Sequence, residues 1–289
     1  TYRMSPISDT LQIAAGIPYT YSRLNEFLKD FAQKPHVEAH VLTKSEAGRY
    51  VPFVQITNPK KDKKRGALLF IGRQHAFEAP CSYFMEGLLT FMAGDHEAAE
   101  YLRRHYRIYA VPMVDVDQVY AGGTGKSQLP ADINRDWLDK PHWKAVKTMQ
   151  QMAKGIDERY SLRLFMDIHS PFPITKRSSH YYTGYKKGTA KYKRLKAFFD
   201  RYSEKEGWDL IEVRNYRVKS GQMTARTYMD NPSWNQFKTP HFEDLLFSTT
   251  YEQSWQSKPG GTPYTIPQIF RSAENMGLTI QELLKQESE

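Results

Sequence analysis

Two histidines and one glutamate in this sequence have the residue types and positions that a catalytic metal site requires. His75 and Glu78 form a His-x-x-Glu pair directly after the apolar run 67–71, and His169 ends a second apolar run, 162–168. Two imidazoles and a carboxylate leave one corner of a zinc tetrahedron open, and an open corner distinguishes a catalytic zinc site from a structural one. The sequence therefore predicts one Zn²⁺ held by these three residues.

The His75/Glu78 pair is weak evidence by itself. With 9 histidines and 32 acidic residues among 289, about one His-x-x-Asp/Glu spacing arises by chance. Ordinary polar residues at a strand end are the alternative interpretation. The carboxyl ends of neighbouring parallel strands converge on one crevice, however, so His169 and the pair can share a metal if their strands are neighbours.

Apolar periodicity alternates between strand-like and helix-like along the whole chain. Strand patterns occupy 37–41, 53–56, 67–71, 108–114, 162–168, 208–213 and 245–251, and helical patterns occupy 24–31, 84–92, 143–156, 192–199 and 269–284. The last helix is expected to be interrupted at Gly277. This order predicts a single α/β domain over residues 1–289, with a mixed, mostly parallel central sheet and helices on both faces.

A net charge of +9 favours acidic partners without naming them. The basic runs 60–65 and 186–194 are short and separated, and no nucleic-acid-binding signature accompanies either. We therefore expect no nucleic-acid partner.

Cys81 is the only cysteine, which excludes an intramolecular disulfide and a cysteine-rich zinc site. We expect it to be a small buried thiol on an apolar helix. No run of about 18 apolar residues is present, so no membrane span is expected. The sequence begins at Thr1 rather than Met, which leaves both an exported protein with its signal removed and a cytoplasmic one open.

A long polar segment, 115–137, separates the strand pattern at 108–114 from the next helix, and segments of this kind are usually functional. Here the chain resembles the zinc carboxypeptidases of the carboxypeptidase A type, especially their bacterial and cytosolic relatives, over nearly its whole length. The motifs that carry the resemblance occur in the family's order: His75-x-x-Glu78, Asp115-Val116-Asp117-Gln118, Asp132-Ile133-Asn134-Arg135-Asp136-Trp137, Asp167-Ile168-His169, Thr249-Thr250-Tyr251-Glu252 and Ile266-Pro267-Gln268-Ile269-Phe270.

The resemblance implies roles for several residues. Glu252 is similar to the general base that takes a proton from the attacking water and later protonates the leaving amine; Glu243 is the competing carboxylate. Asn134 and Arg135 resemble the pair that grips the substrate's terminal carboxylate, and a guanidinium fork matches a carboxylate well. A structural ion pair of Arg135 with a neighbouring aspartate is the alternative. Asp132 would accept a hydrogen bond from His75.

Two departures from the family pattern concern the residues that contact the substrate's reacting group. Members often carry an arginine that polarises the scissile carbonyl, but the spacing to Asn134 puts Gly125 there, so the adjacent Lys126 is the expected substitute. A tyrosine on a mobile loop commonly closes over the substrate, and Tyr228 is the best-placed candidate.

These features predict a zinc metallocarboxypeptidase that cleaves the C-terminal residue from a peptide, or a peptide-like substrate, with a free carboxylate. Relatives with this metal site also remove acyl groups from amino acids or cut peptidoglycan stem peptides, so a zinc amidase or deacylase remains an alternative. A non-catalytic zinc-retaining binding module is a further alternative, but its distinguishing feature would be loss of the base, and Glu252 is present.

Overall fold

The fold is seen in a computed structural model that describes residues 9, 14, 16–58, 66–172, 178–213, 221–230, 242–256 and 261–288. The helices are α1 (Tyr21–Phe31), α2 (Ala79–Met92), α3 (Glu97–His105), α4 (Val116–Ala121), α5 (Lys144–Tyr160), α6 (Ala190–Glu206), α7 (Ala225–Met229) and α8 (Ile266–Gln286). The strands are β1 (Val37–Lys44), β2 (Tyr50–Ile56), β3 (Ala67–Gly72), β4 (Arg107–Val111), β5 (Leu162–His169), β6 (His180–Tyr182), β7 (Ile211–Val213) and β8 (Phe247–Glu252).

These strands form one mixed sheet in the order β1-β2-β4-β3-β5-β8-β6-β7. The centre is parallel, because β3 pairs in parallel with β4 and β5, and β5 pairs in parallel with β8. The junctions β1–β2, β2–β4 and β6–β8 are antiparallel, and β6–β7 is parallel. All six residues of β3 are buried, as expected of a central strand covered on both faces.

The chain reverses its direction across the sheet after β4. It passes from β3 through α2 and α3 to β4 on one side, then through α5 to β5 on the other side of β3. Because crossovers between parallel strands are right-handed, connections that run in opposite directions put α2 and α3 on one face and α5 on the other. The predicted fold class is confirmed, and the crevice of such a sheet lies at the carboxyl ends of β3 and β5.

Helices α2 and α8 pack closely at two glycines. A Cβ atom on Gly277 would lie 2.3 Å from the Phe91 ring, and one on Gly87 would lie 3.0 Å from the Ala273 Cβ. The expected interruption at Gly277 is wrong, because α8 runs unbroken through it. Glycine stands there because α2 leaves no room for a side chain.

The polar segment 115–137, predicted as a loop, contains two short helical elements. The Asp115 side chain accepts the Gln118 backbone N–H and so caps α4, which ends at Gly122 with φ of 72°. A 3₁₀ turn follows at Ile133–Arg135. In the strand pattern predicted at 208–213, only Ile211–Val213 forms a strand.

The structure also describes the lone cysteine and the lengths of the helices. Cys81 is buried on α2, and no helix in the described part is long and apolar enough to cross a membrane. The first basic run, 60–65, lies outside the described residues, whereas the run 186–194 leads into α6.

Candidate metal and peptide-binding site

His75, Glu78 and His169 meet at the carboxyl ends of β3 and β5. The His75 Nδ1 atom lies 2.7 Å from Glu78 Oε1 and 3.1 Å from His169 Nδ1. His169 Nδ1 lies 2.8 Å from Glu78 Oε2. All three side chains are at most 2% exposed, and their ligand atoms lie within 4.8 Å of one another.

The outer nitrogens of both histidines face carboxylates. His75 Nε2 lies 3.3 Å from Asp132 Oδ1, the contact that the sequence predicts, and His169 Nε2 lies 2.9 Å from Asp167 Oδ2. A carboxylate beside each Nε2 favours the tautomer that carries its proton there, and in this tautomer the Nδ1 lone pairs face each other and Glu78. Facing lone pairs repel unless a cation lies between them, so this donor set fits Zn²⁺ with carboxylates orienting its histidines.

The electrostatics around the three side chains also favour a cation. Burial raises the pKa of Glu78, but the charges of His75 and His169 outweigh burial and hold it well below its ordinary value. Burial lowers the pKa of His169, but the charges of Asp167 and Glu78 outweigh burial and raise this pKa well above its ordinary value. Glu78 therefore stays ionised, as a carboxylate that binds a metal must be.

Arg73 shapes the turn that carries the first two of these residues. Its backbone adopts φ of 57°, rare for a residue with a side chain, and its guanidinium is buried. Nε and Nη2 donate to the Ala76 carbonyl at 3.0 and 2.7 Å, and Nη1 donates to Ser82 Oγ at 2.7 Å. This contact fixes the turn between His75 and Glu78 against α2.

Glu252 lies beside His169 in the sheet. It ends β8 and is the register partner of His169 across β5–β8, so both side chains point to one face. Its Oε2 atom is buried and has no hydrogen-bond partner among the described residues. Burial and then the Glu78 charge raise the pKa of Glu252 to about 7. Glu243, the competing carboxylate, lies on an exposed turn before β8.

Asn134 and Arg135 reach the same pocket from the 3₁₀ turn. The pocket is lined by His75, Lys126, Asn134, Arg135, His169 and Glu252, together with four residues described below. Asn134 Oδ1 accepts the Ala225 backbone N–H at 3.2 Å, which ties the turn to α7. The Asp136 carboxylate accepts from His142 Nδ1 and the Trp143 backbone N–H, and the charge of Arg135 acts on Asp132.

Gly125 and Lys126 explain the departure from the family's arginine. Gly125 has φ of 77°, and a Cβ atom there would lie 2.7 Å from the Ala76 backbone nitrogen and 3.1 Å from His75 Cα. No side chain fits at this position. The next residue places a cation beside the cluster, with Lys126 Nζ 3.0 Å from His75 Nδ1 and 3.8 Å from Glu78 Oε1.

Tyr228 does not occupy the place that the sequence assigned to it. It lies on α7 rather than on a loop, is 2% exposed, and has its ring centre 5.6 Å from that of Trp137. Burial raises the pKa of its phenol to about 12. The structure therefore corrects the expected location of Tyr228, which lies in the core rather than on a loop over the pocket.

Several residues of the site escaped the sequence analysis. Tyr182, Thr224, Arg226 and Thr250 line the pocket, and Asp167 contacts His169. A signal existed for Thr250 and Asp167, because each precedes a predicted site residue by two positions on a strand and so shares its face. The other three come from β6 and the start of α7, which are too short to give a periodicity.

Asp115 gives the structure a pH dependence that can be measured. Burial raises the pKa of Asp115 to about 7, above its value of about 4 in an unfolded chain. Between these values the folded protein binds a proton that the unfolded chain releases, so stability falls as pH rises. We expect Asp115→Asn to flatten this slope by at most about 1.4 kcal/mol per pH unit.

Urea unfolding of metal-free wild type and variant between about pH 4 and 8 tests this expectation, since the other titrating groups are common to both proteins. Asp30→Asn, at an exposed position on α1, is the matched control and should leave the slope unchanged. Identical slopes for wild type and Asp115→Asn would contradict the prediction.

Comparison with known proteins identifies the family. The zinc carboxypeptidase family model matches residues 24–205, and the chain belongs to this family. Cytosolic carboxypeptidase 6 of Mus musculus is 31% identical over 173 residues, which are 56% of this chain and 32% of that protein. Cytosolic carboxypeptidase 3 of Mus musculus is 31% identical over 177 residues, 58% of this chain and 18% of that protein. The chain thus spans about a third, or less, of these relatives.

Structural similarity to solved proteins covers more of the chain than residues 24–205, which the family model matches. A metallo-carboxypeptidase from Burkholderia cenocepacia superimposes with a TM-score of 0.75 over 94% of this chain and 71% of that one, at 18% identity. At this identity the likeness concerns the fold alone.

Proposed function

We propose that this protein is a zinc-dependent metallocarboxypeptidase that removes the C-terminal residue of a peptide. The proposal rests on one pocket that is lined by two clustered histidines, by Glu252 and by the adjacent Asn134 and Arg135. One oxygen of the Glu252 carboxylate is buried and has no hydrogen-bond partner among the described residues. Hydrolysis needs the first two features, and recognition of a chain end needs the third. Family membership supports the same conclusion.

His75, Glu78 and His169 would hold the zinc ion, which supplies a Lewis acid that activates water at neutral pH and polarises a carbonyl. Glu252 accepts the proton of the attacking water through its carboxylate. It then donates that proton to the amine nitrogen as the peptide bond breaks, which returns Glu252 to its starting state. A carboxylate with a raised pKa suits this double role, because it both takes up and releases a proton near neutral pH.

Lys126 and the asparagine–arginine pair orient the substrate. Arg135 and Asn134 hold the terminal carboxylate by charge-assisted hydrogen bonds, which brings the last peptide bond to Glu252. Lys126, whose ammonium lies at the edge of His75, stabilises the negative charge that develops on the carbonyl oxygen.

The pocket's charge favours an acidic terminal residue. Lys126, Arg135 and Arg226 line it together with one carboxylate, Glu252, among the described residues. The hydroxyls of Thr224 and Thr250 add neutral hydrogen-bonding groups. Peptides that end in glutamate are therefore the substrates to test first.

End recognition gives a direct test of the proposal. Wild-type enzyme should hydrolyse a free-acid peptide strongly in preference to its C-terminal amide, because an amide cannot accept both charge-assisted bonds and leaves the guanidinium unpaired. Arg135→Ala should lose about 2–5 kcal/mol in kcat/KM on the acid, the range for truncating one partner of a buried charge pair. Its preference for acid over amide should shrink accordingly. Release of the free amino acid is the measurement.

Arg163→Ala is the matched control, since Arg163 lies near the amino end of β5, at the opposite end from His169. It should retain wild-type kcat/KM and the wild-type preference. Equal hydrolysis of acid and amide by the wild type would reject a carboxypeptidase.

A further inference from the structure

We infer that Phe77 and Phe172 form an aromatic subsite that binds a side chain of the peptide within two residues upstream of the scissile bond. The inference rests on the proposed function, because it takes the terminal residue to occupy the pocket of Asn134 and Arg135. It adds a preference for substrates with an aromatic or large apolar residue before the terminal one.

The two rings come from the segments that carry the metal-binding residues. Phe77 lies between His75 and Glu78, and Phe172 follows His169 by three positions. Their ring centres are 5.2 Å apart with planes tilted by 55°. The Phe77 ring also stacks beside His75, with centres 6.4 Å apart and planes 26° apart. Together they form one aromatic surface next to the candidate metal site.

This surface is open to solvent. Phe172 is 47% exposed and Phe77 is partly exposed. An adjacent pair of exposed aromatic rings leaves apolar area in water that a ligand can cover. Lys126 Nζ lies 5.8 Å from the centre of the Phe77 ring, so the surface is continuous with the cation that faces the scissile carbonyl in the proposed function.

The position of the two rings indicates that they contact residues before the scissile bond. Neither ring lines the pocket that would hold the terminal residue. The scissile carbonyl must lie at the metal-binding residues, and the Phe77 ring is 6.4 Å from the His75 ring. Since successive Cα atoms are about 3.8 Å apart, side chains one or two residues upstream reach this distance. An aromatic side chain there gains edge-to-face contacts as well as burial.

Three peptides separate this inference from the proposed function: acetyl-Gly-Gly-Glu, acetyl-Gly-Phe-Glu and acetyl-Phe-Gly-Glu. We expect at least one phenylalanine peptide to exceed the glycine peptide by about tenfold in kcat/KM, the lower end for burying an aromatic ring. Phe172→Ala and Phe77→Leu should reduce that ratio. The ratio is taken within each protein, so a general loss of activity cancels.

Equilibrium binding provides a readout that does not need turnover. In the Glu252→Gln background, the preferred phenylalanine peptide should bind about fivefold or more weakly when Phe172→Ala is added, whereas the glycine peptide should bind equally to both proteins. Tyr50→Ala removes an aromatic ring that is 53% exposed on β2 and should change neither the ratio nor the binding.

The outcomes are distinguishable. Hydrolysis of all three peptides at equal rates overturns the aromatic subsite and leaves the carboxypeptidase intact. A ratio that persists in both Phe172→Ala and Phe77→Leu also overturns it. No hydrolysis of any free-acid peptide by zinc-loaded wild type rejects the proposed function, and the binding comparison then still decides whether the rings bind an aromatic side chain.

Discussion

Replacing His169 by alanine is expected to abolish zinc binding and peptide hydrolysis together. The side chain supplies one of three inward-facing ligand atoms, and its loss leaves Glu78 with a single imidazole beside it. Removing the hydrogen-bond partner of a metal-binding histidine typically lowers metal affinity by roughly 10–100-fold. Removing the histidine itself should lower zinc affinity by more than that. His75→Ala should behave in the same way. Elemental analysis of the purified proteins measures bound zinc, and release of the terminal amino acid measures activity.

His40→Ala is the matched control for this experiment. His40 is an exposed histidine on β1 that pairs with Glu38, and its loss should leave zinc content and turnover unchanged. Zinc content equal to that of wild type in both His75→Ala and His169→Ala would reject the assignment of the site.

Glu252→Gln is expected to separate metal binding from chemistry. The amide keeps the size of the side chain but cannot accept the proton of the attacking water, so kcat should fall by about 10²-fold or more. Zinc content should stay at the wild-type level because Glu252 is not among the three clustered ligands.

The wild-type pH profile provides a second measurement of the same group. The carboxylate form of Glu252 is the active one, so kcat/KM should fall as pH drops through its pKa. Burial sets that pKa at about 7 without a metal, and the positive charge of bound zinc lowers it, so the acid limb should appear at or below about pH 7. Glu243→Gln, at an exposed turn, is the control; if it lost turnover while Glu252→Gln did not, the base would be misassigned.

The two histidines of the candidate metal site were predictable because they stand at or just after the ends of largely apolar strands. His75 follows β3, whose residues are all buried, by three positions, and His169 is the last residue of β5. The fold class followed from the same alternation of strands and helices.

Some other residues that line the pocket were not predictable, because they lie on short elements. Tyr182 lies on a strand of three residues and Arg226 on a helix of five, and such elements are too short to show a period. Tyr228 was predicted to lie on a loop only because it precedes Glu252 in sequence. That order does not show whether the residue lies on a loop or on a helix. Gly277 misled the helix prediction because its cost in helix propensity is local, whereas the close approach of Phe91 is a tertiary effect.

The last strand in sequence occupies an interior position of the sheet. β8 lies between β5 and β6, and β6 and β7 join the rest of the sheet only through it. A chain that extends only to residue 246 therefore has all three candidate metal ligands but neither Glu252 nor an anchor for Tyr182. In the proposed enzyme, the ability to cut peptides thus depends on β8, which supplies the base and joins the strand of Tyr182 to the rest of the sheet.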